Sequence, residues 1–278
     1  MANVLIAGCG DLGCRLGSQL SESGHNIFGI RRNANQLPNC IQPIVCDLAV
    51  TNPNLPNKLD YVFYILSADS FKDSAYYQAY VLGVKHLLLS LQGKNIKRLF
   101  FISSSSVFGQ DKGQVVTETC PTSDHSFSSH RLLEGESLIN NSPFPSTIIR
   151  FAGIYGPGRS HLIDLVLEGK AHCMEGVYSN RIHTDDCVNV MQHLMLLNNP
   201  AELYIAVDNE PTLTCEVYEW LAEQLSIAKI DHISPSETSR IMRSNKKLSN
   251  QRLLDSGYQF KYPSFREGYL SLLAEMDY

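Results

Sequence analysis

A short apolar run, NVLIA at residues 3–7, leads directly into Gly8, Gly10 and Gly13 and then into an amphipathic segment, DLGCRLGSQLSESG. That order reads as strand, tight turn and helix, with Gly24 placed to stop the helix. Glycines at GxGxxG spacing keep side chains out of the turn, so a phosphate group can approach the positive end of the helix that follows. The spacing alone is a weak signal. Its position at the first strand-to-helix junction makes a dinucleotide site the expectation, against a purely structural glycine turn. A mononucleotide P-loop is excluded, because GxxxxGK followed by Ser or Thr occurs nowhere in the chain.

The same rhythm continues. NIFGI at 26–30, PIVCDL at 43–48, YVFYIL at 61–66, RLFFIS at 98–103 and STIIRF at 146–151 are further strand candidates, and 73–91 and 128–139 carry helical patterns between them. Short, nearly continuous apolar strands alternating with helices predict an α/β fold, a Rossmann-type doubly wound parallel sheet covered on both faces. After residue 155 the alternation weakens at GPGRS. HTDDCVNVMQHLMLLNN then predicts a helix, and LYIAV at 203–207 returns to the sheet. The expected organisation is a dinucleotide-binding domain over 1–155, completed by approximately 182–208. A smaller substrate-side domain, from 156–181 and 209–278, is expected over the C-terminal strand ends, where ligand crevices form in such sheets.

Composition narrows the partners. The 278 residues are 44% hydrophobic and 18% charged, which suits a compact globular chain rather than a disordered one. Asp and Glu outnumber Lys and Arg by 28 to 23, and no basic block is present, so nucleic acid is not an expected partner. No apolar stretch nears the roughly 20 residues of a membrane helix, and the N-terminus lacks the pattern of a signal peptide. The eight cysteines form no CxxC pair and are read as thiols in a reducing cytoplasm. Without HExxH, a cysteine cluster or a calcium loop, no metal is expected.

Within the glycine turn, Gly8, Gly10, Asp11, Leu12 and Gly13 are the expected cofactor contacts. The second strand ends in GIRRN, where an NAD-selective site often carries an acidic residue for the ribose hydroxyls. Arg31 and Arg32 there favour NADP, with NAD still admissible; the simpler alternative is a pair of solvated arginines. Asp47 and Leu48 follow the third strand, Asp47 suited either to the adenine edge or to its own local backbone.

Five ordered motifs, AGCGDLG at 7–13, CDL at 46–48, FFISSSSVFG at 100–109, IIRFAGIYGPGR at 148–159 and RIHTDD at 181–186, together resemble the extended short-chain dehydrogenase/reductase superfamily. Its members include sugar-nucleotide epimerases, dehydratases and reductases. The tail NKKLSNQRLLDSGYQFKYPSFREG is similar to an atypical subgroup, the NAD-dependent epimerase/dehydratase-like proteins. The resemblance implies that Ala7 stands where the family's first glycine usually lies and that Ser104 orients the reacting oxygen; Ser105 beside it is a candidate substrate contact. It also exposes a departure. The family's YxxxK falls on Ser128 and Leu132, or in another register on Phe127 and Arg131, and neither pair can run the usual acid-base step.

Replacement candidates are His130, by its pKa range, and Tyr155 in the IYGPG loop; Arg159 is a candidate for holding an anionic substrate. Each has a simpler structural role: a solvent-facing helix start for His130, packing for Tyr155, a surface ion pair for Arg159. His183 and Asp186 are expected to cap and position rather than transfer protons. The resulting expectation is a cytoplasmic NADP-dependent oxidoreductase or nucleotide-sugar epimerase/dehydratase-like enzyme, acting on a small polar metabolite with non-standard proton transfer. The alternative is a catalytically inactive NAD(P)-binding sensor or structural protein. RNA binding, known among relatives, is disfavoured by the acidic net charge of -5. A homodimer through 73–91 and 128–139 is also implied by the resemblance, unless those apolar faces pack on the sheet.

Overall fold

The computed structural model describes residues 1–227, 230–232 and 245–276. In chain order the elements are β1 (Asn3–Ala7), α1 (Asp11–Glu22), β2 (Asn26–Arg31), β3 (Ile41–Val45), β4 (Tyr61–Tyr64), α2 (Asp73–Tyr77), α3 (Gly83–Leu91), β5 (Arg98–Ser104), β6 (Gln114–Val116), α4 (Phe127–Asn140), β7 (Ser146–Phe151) and β8 (Gly153–Tyr155). They continue as α5 (His161–Leu167), β9 (His172–Cys173), β10 (Tyr178–Ser179), β11 (Arg181–His183), α6 (Thr184–Leu196), β12 (Leu203–Ala206), β13 (Thr212–Leu213), α7 (Thr214–Gln224), β14 (Asp231–His232), β15 (Lys246–Leu248), α8 (Gln251–Asp255) and α9 (Phe265–Glu275).

Seven strands make one parallel sheet in the order β12, β7, β5, β4, β1, β2, β3. The strand order reverses beside β1, which pairs with both β2 and β4, and open α/β sheets bind ligands at such a point. Side-chain alternation divides the core. Ile6 faces α1, where ideal Cβ atoms on Gly13 and Gly17 would meet it at 3.1 and 3.3 Å, while Leu5 and Ala7 join the opposite cluster with Val84, Leu87, Phe101 and Ile139. The register pairs Phe63 with Phe100 and Tyr64 with Phe101, so one aromatic stack lies on each face, at 4.6 and 5.6 Å between centroids.

The helical pattern at 73–91 forms throughout, but Gln78–Leu82 is a π-helical turn between α2 and α3, with the Tyr64 hydroxyl donating to the Ala79 carbonyl there. Val84, Leu87, Leu91 and Ile139 pack against the sheet, which accounts for much of the apolar content of these helices. The predicted strands form with ends shifted by up to three residues, and the third shifts most. The third runs over 41–45 rather than 43–48, because the Asp47 side chain accepts from the Ala49 N–H at 2.9 Å and the Asp47 carbonyl accepts from Val50 and Thr51, turning the chain early.

Contacts divide the chain into two units: 1–107 with 123–150 and 188–204, and 108–122 with 151–187 and 205–278. The segments 108–122, 151–155, 182–187 and 205–208, read from sequence as part of the first domain, fall in the second unit. For 108–122 the cause is a long-range pairing of β6 with β15, supported by the Lys246 ammonium donating to the Phe108 carbonyl at 3.0 Å. The second unit also contains the short pairings of β8 with β11, β10 with β13, and β9 with β14. Its core includes Ile163, Val217, Leu221, Phe265 and Tyr269. Cys173 and Cys215 are joined there as a disulfide, which corrects the reading of all eight cysteines as thiols. Their separation of 42 residues offers no local spacing from which to infer the bond. Among the described residues no helix is long and apolar enough to cross a membrane.

Candidate dinucleotide site

The glycine turn is built by close approach. Gly8 has φ +93°, and a Cβ there would lie 2.6 Å from the Leu66 backbone nitrogen, so the strand-end contact itself requires glycine. A Cβ on Gly13 would stand 2.8 Å from the Gly8 carbonyl oxygen, because α1 packs tightly onto the turn. Gly10, which precedes α1, is different: a Cβ there would meet nothing within 4 Å. Its missing side chain is not demanded by the protein's own packing and leaves open space before a helix N-terminus, the place where a pyrophosphate fits.

That space belongs to a cavity of about 390 Å³, lined by Gly8, Cys9, Gly10, Arg31, Arg32, Cys46, Asp47, Leu48, Leu66, Asp69, Gln78 and Ala79 among others. Six of the expected cofactor residues are thereby brought together: Gly8, Gly10, Arg31, Arg32, Asp47 and Leu48. Asp11, Leu12 and Gly13 do not line it. Leu12 is buried, Gly13 is held against the turn, and the Asp11 carboxylate accepts from Arg15 at 2.9 Å. Ile65, Leu66, Ser67 and Asp69, just beyond β4, also line the cavity and were not among the expected site residues. Their signal was present, since a strand beside β1 must end at the same sheet edge as the glycine turn.

The two arginines are held differently. Arg31 donates to the Cys9 carbonyl at 3.1 Å and to Gln36, which ties it to the glycine turn. Arg32 makes a two-pronged pair with Asp69, both distances 2.7 Å, and this raises the guanidinium pKa while holding the Asp69 carboxyl below its usual range. Asp47 adopts the local-backbone alternative through Ala49, and the Leu48 carbonyl lies 2.7 Å from His86 Nδ1.

Alternation along β5 separates the serines. Ser103 is buried and donates to Glu136 at 2.6 Å; the same carboxylate pairs with buried Arg150 at 2.6 and 3.0 Å. Ser104 points to the other side of the strand, and its hydroxyl accepts from the Ser106 N–H at 3.1 Å. It ends β5, beside β4, at the same sheet edge as the glycine turn, yet neither Ser104 nor Ser105 lines the 390 Å³ cavity. On α4, Ser126 caps the helix, Ser128 bonds to Ser126, and Leu132 is buried. Arg131 pairs with Asp73 and Glu134. His130 is exposed, with Asp124 at 3.5 Å and Glu134 at 3.8 Å.

The remaining candidates lie in the second unit. Tyr155 is buried, stacked on Tyr269 at 4.5 Å and edge-on to His183 at 5.3 Å, and burial pushes its phenol pKa far up. Its hydroxyl has no hydrogen-bond partner among the described residues. Packing is thus the role its surroundings give it. Arg159 is exposed, and its N–H closes the turn onto the Gly156 carbonyl at 2.8 Å. Asp186 accepts from the Tyr258 hydroxyl and from the Lys261 and Tyr262 N–H groups at 2.6 to 2.9 Å, clasping the C-terminal segment. His183 Nδ1 accepts from the Asp185 N–H at 3.2 Å. Asp208 escaped the sequence reading: burial pushes its carboxyl up to about 7, with the Arg181 charge opposing.

Residues 4–202 match the NAD dependent epimerase/dehydratase family. Protein YeeZ of Escherichia coli is 27% identical over 218 residues, covering 73% of this chain and 77% of its own. A candidate NAD-dependent epimerase/dehydratase from Methylobacillus flagellatus is 34% identical, with TM-score 0.81 over 99% of this chain and 98% of that one. The human epimerase family protein SDR39U1, solved with NADPH, shares the fold at TM-score 0.79 and 15% identity, over 99% of this chain and 100% of its own. With a glycine turn, a switch-point cavity and a family match over most of its length, this chain belongs to the NAD-dependent epimerase/dehydratase family.

Proposed function

We propose that this protein is an NADP-dependent oxidoreductase or nucleotide-sugar epimerase/dehydratase-like enzyme, acting on a small polar metabolite with non-standard proton transfer. The observation that carries the reading is the open space at Gly10, which joins a cavity that Arg31 and Arg32 also line. The volume and the donors suit the adenosine and phosphate portions of a dinucleotide. The NADPH held by the human neighbour supports the same class, and two cations without an acidic residue at the end of β2 favour the 2'-phosphate.

In this reading the first turn of α1 faces the pyrophosphate, Arg31 and Arg32 hold the adenosine-side anion, and the Ser104 hydroxyl orients the substrate oxygen. A bound nicotinamide supplies hydride exchange with a carbon bearing a hydroxyl or carbonyl. Ser128 and Leu132 cannot provide the family's proton relay, so the proton passes through water or another hydroxyl. A homodimer is proposed with it.

A second reading, a cofactor-binding sensor without turnover, is favoured by buried Leu132 at the position of the family's lysine. The deciding experiment loads the purified protein with NADP or NADPH and screens UDP-sugars and small polyols. Nicotinamide absorbance reports redox, and NMR reports epimers. Turnover supports the enzyme; tight binding across an extensive screen without turnover supports the sensor.

A further inference from the structure

The disulfide of the second unit lies inside a set of metal-ligand side chains. The parallel register of β9 and β14 places His232 beside Cys173, and Cys215 and Glu219 occupy one face of α7 at i and i+4. Ligand atoms of Cys173, Glu219 and His232 all lie within 4.8 Å of one another, with Cys215 bonded to Cys173. His232 Nε2 is 3.1 Å from Glu219, and Nδ1 is 3.6 Å from Glu175. The sulfurs are buried, whereas the His232 and Glu219 side chains are 42% and 52% exposed, so the cluster has a dry sulfur side and an entry side.

Two sulfurs, one imidazole and one carboxylate are a donor set that zinc takes in tetrahedral coordination, with donor atoms about 3.3 to 3.8 Å apart. We propose that Cys173, Cys215, Glu219 and His232 form a Zn²⁺ site when the cysteines are reduced, so that metal and disulfide are alternative states of one cluster. Reduction needs a dithiol. Its first thiolate attacks one cysteine sulfur, breaking the cystine bond and forming a mixed disulfide; its second sulfur then displaces the other cysteine, leaving a cyclic disulfide and two protein thiols. Two electrons pass to the protein. Zinc binding then releases the two thiol protons as both sulfurs ligate as thiolates. Glu175, within reach of the other imidazole nitrogen, is placed to orient His232. Sequence spacing could not reveal the site, because the fold gathers residues 173, 219 and 232 and the disulfide brings in residue 215.

The test uses the full chain, reduced with dithiothreitol, desalted without oxygen and titrated with Co²⁺ and then with Zn²⁺ against a chromophoric chelator. One equivalent should bind, with thiolate-to-cobalt charge-transfer absorption and tetrahedral d–d bands, and zinc should displace the cobalt. Protein oxidised to the cystine should lose that absorption. His232→Ala, a partly exposed change that leaves every sulfur in place, should weaken binding at least about tenfold, and Cys173→Ser with Cys215→Ser should abolish it. Absence of cobalt–thiolate absorption in the reduced chain would overturn the proposal. So would binding unchanged in both variants, because the remaining six cysteines would then be the ligands.

Discussion

Arg32 and Asp69 meet through two hydrogen bonds of 2.7 Å at the cavity beside the glycine turn, so one of the two cations proposed for a 2'-phosphate already faces a carboxylate. The pair is exposed, and its direct contribution to stability is small. Its effect falls on ligand choice. An incoming phosphate must share Arg32 with a carboxylate that the pairing holds below its usual pKa range. Asp69→Asn should therefore tighten NADP by about tenfold and leave NAD nearly unchanged, while Arg31→Ala and Arg32→Ala should weaken NADP more than NAD. Isothermal titration with both nucleotides checks this; equal effects on the two would remove the arginines from selectivity.

Glu136 joins Ser103 to Arg150 with all three side chains buried. Glu136→Gln leaves the guanidinium without its counter-charge and should cost about 3 to 5 kcal/mol in urea unfolding. Replacing both charged residues with methionine should recover most of the loss. A single substitution that costs nothing would mean the pair does not hold β5 and β7 in place.

Asp208 gives stability a pH dependence of known sign. Below about pH 4 its carboxyl is protonated in both folded and unfolded chains, and burial carries no charge penalty. Between about 4 and 7 the unfolded chain releases a proton that the folded chain retains, so stability falls as pH rises, by up to about 1.4 kcal/mol per unit. Asp208→Asn should raise the melting temperature more at pH 8 than at pH 5. An equal gain at both values would contradict the buried-acid description.

Ser104→Ala, once a turnover is in hand, should lower kcat about ten- to hundredfold while cofactor affinity stays within about twofold. Ser105→Ala is the local comparison, because it begins the turn after β5. Steady-state kinetics of the two folded variants separate their roles; parental kinetics for Ser104→Ala would exclude it from the mechanism.

The first β-α-β run was legible because strand and helix each carry their own local period and the glycines mark the junction, so β1 falls on 3–7 as predicted. Asp47 defeated the end of β3 by a side-chain turn that hydrophobicity does not register. Short strands of the second unit, such as His172–Cys173, pair with partners far along the chain, and two residues carry no periodicity. Of the cavity's lining, Gly8, Gly10, Arg31 and Arg32 were legible, because they sit at recognisable junctions after β1 and β2. Asp69 was not, because its pairing with Arg32 arises only when the chain beyond β4 and the chain beyond β2 meet at one sheet edge, on either side of β1. Asp208 was likewise opaque, since burial by distant residues sets its chemistry.

The most direct measurement is calorimetric titration of Gly10→Asp with NADP and NAD, alongside its thermal unfolding. The added side chain meets no protein atom within 4 Å of its Cβ, and an aspartate before α1 is a favourable cap, so folding should be unharmed. The same carboxylate would occupy the phosphate approach. The expected result is loss of both nucleotides from a protein at least as stable as the parent, whereas undiminished binding of both would place the dinucleotide elsewhere.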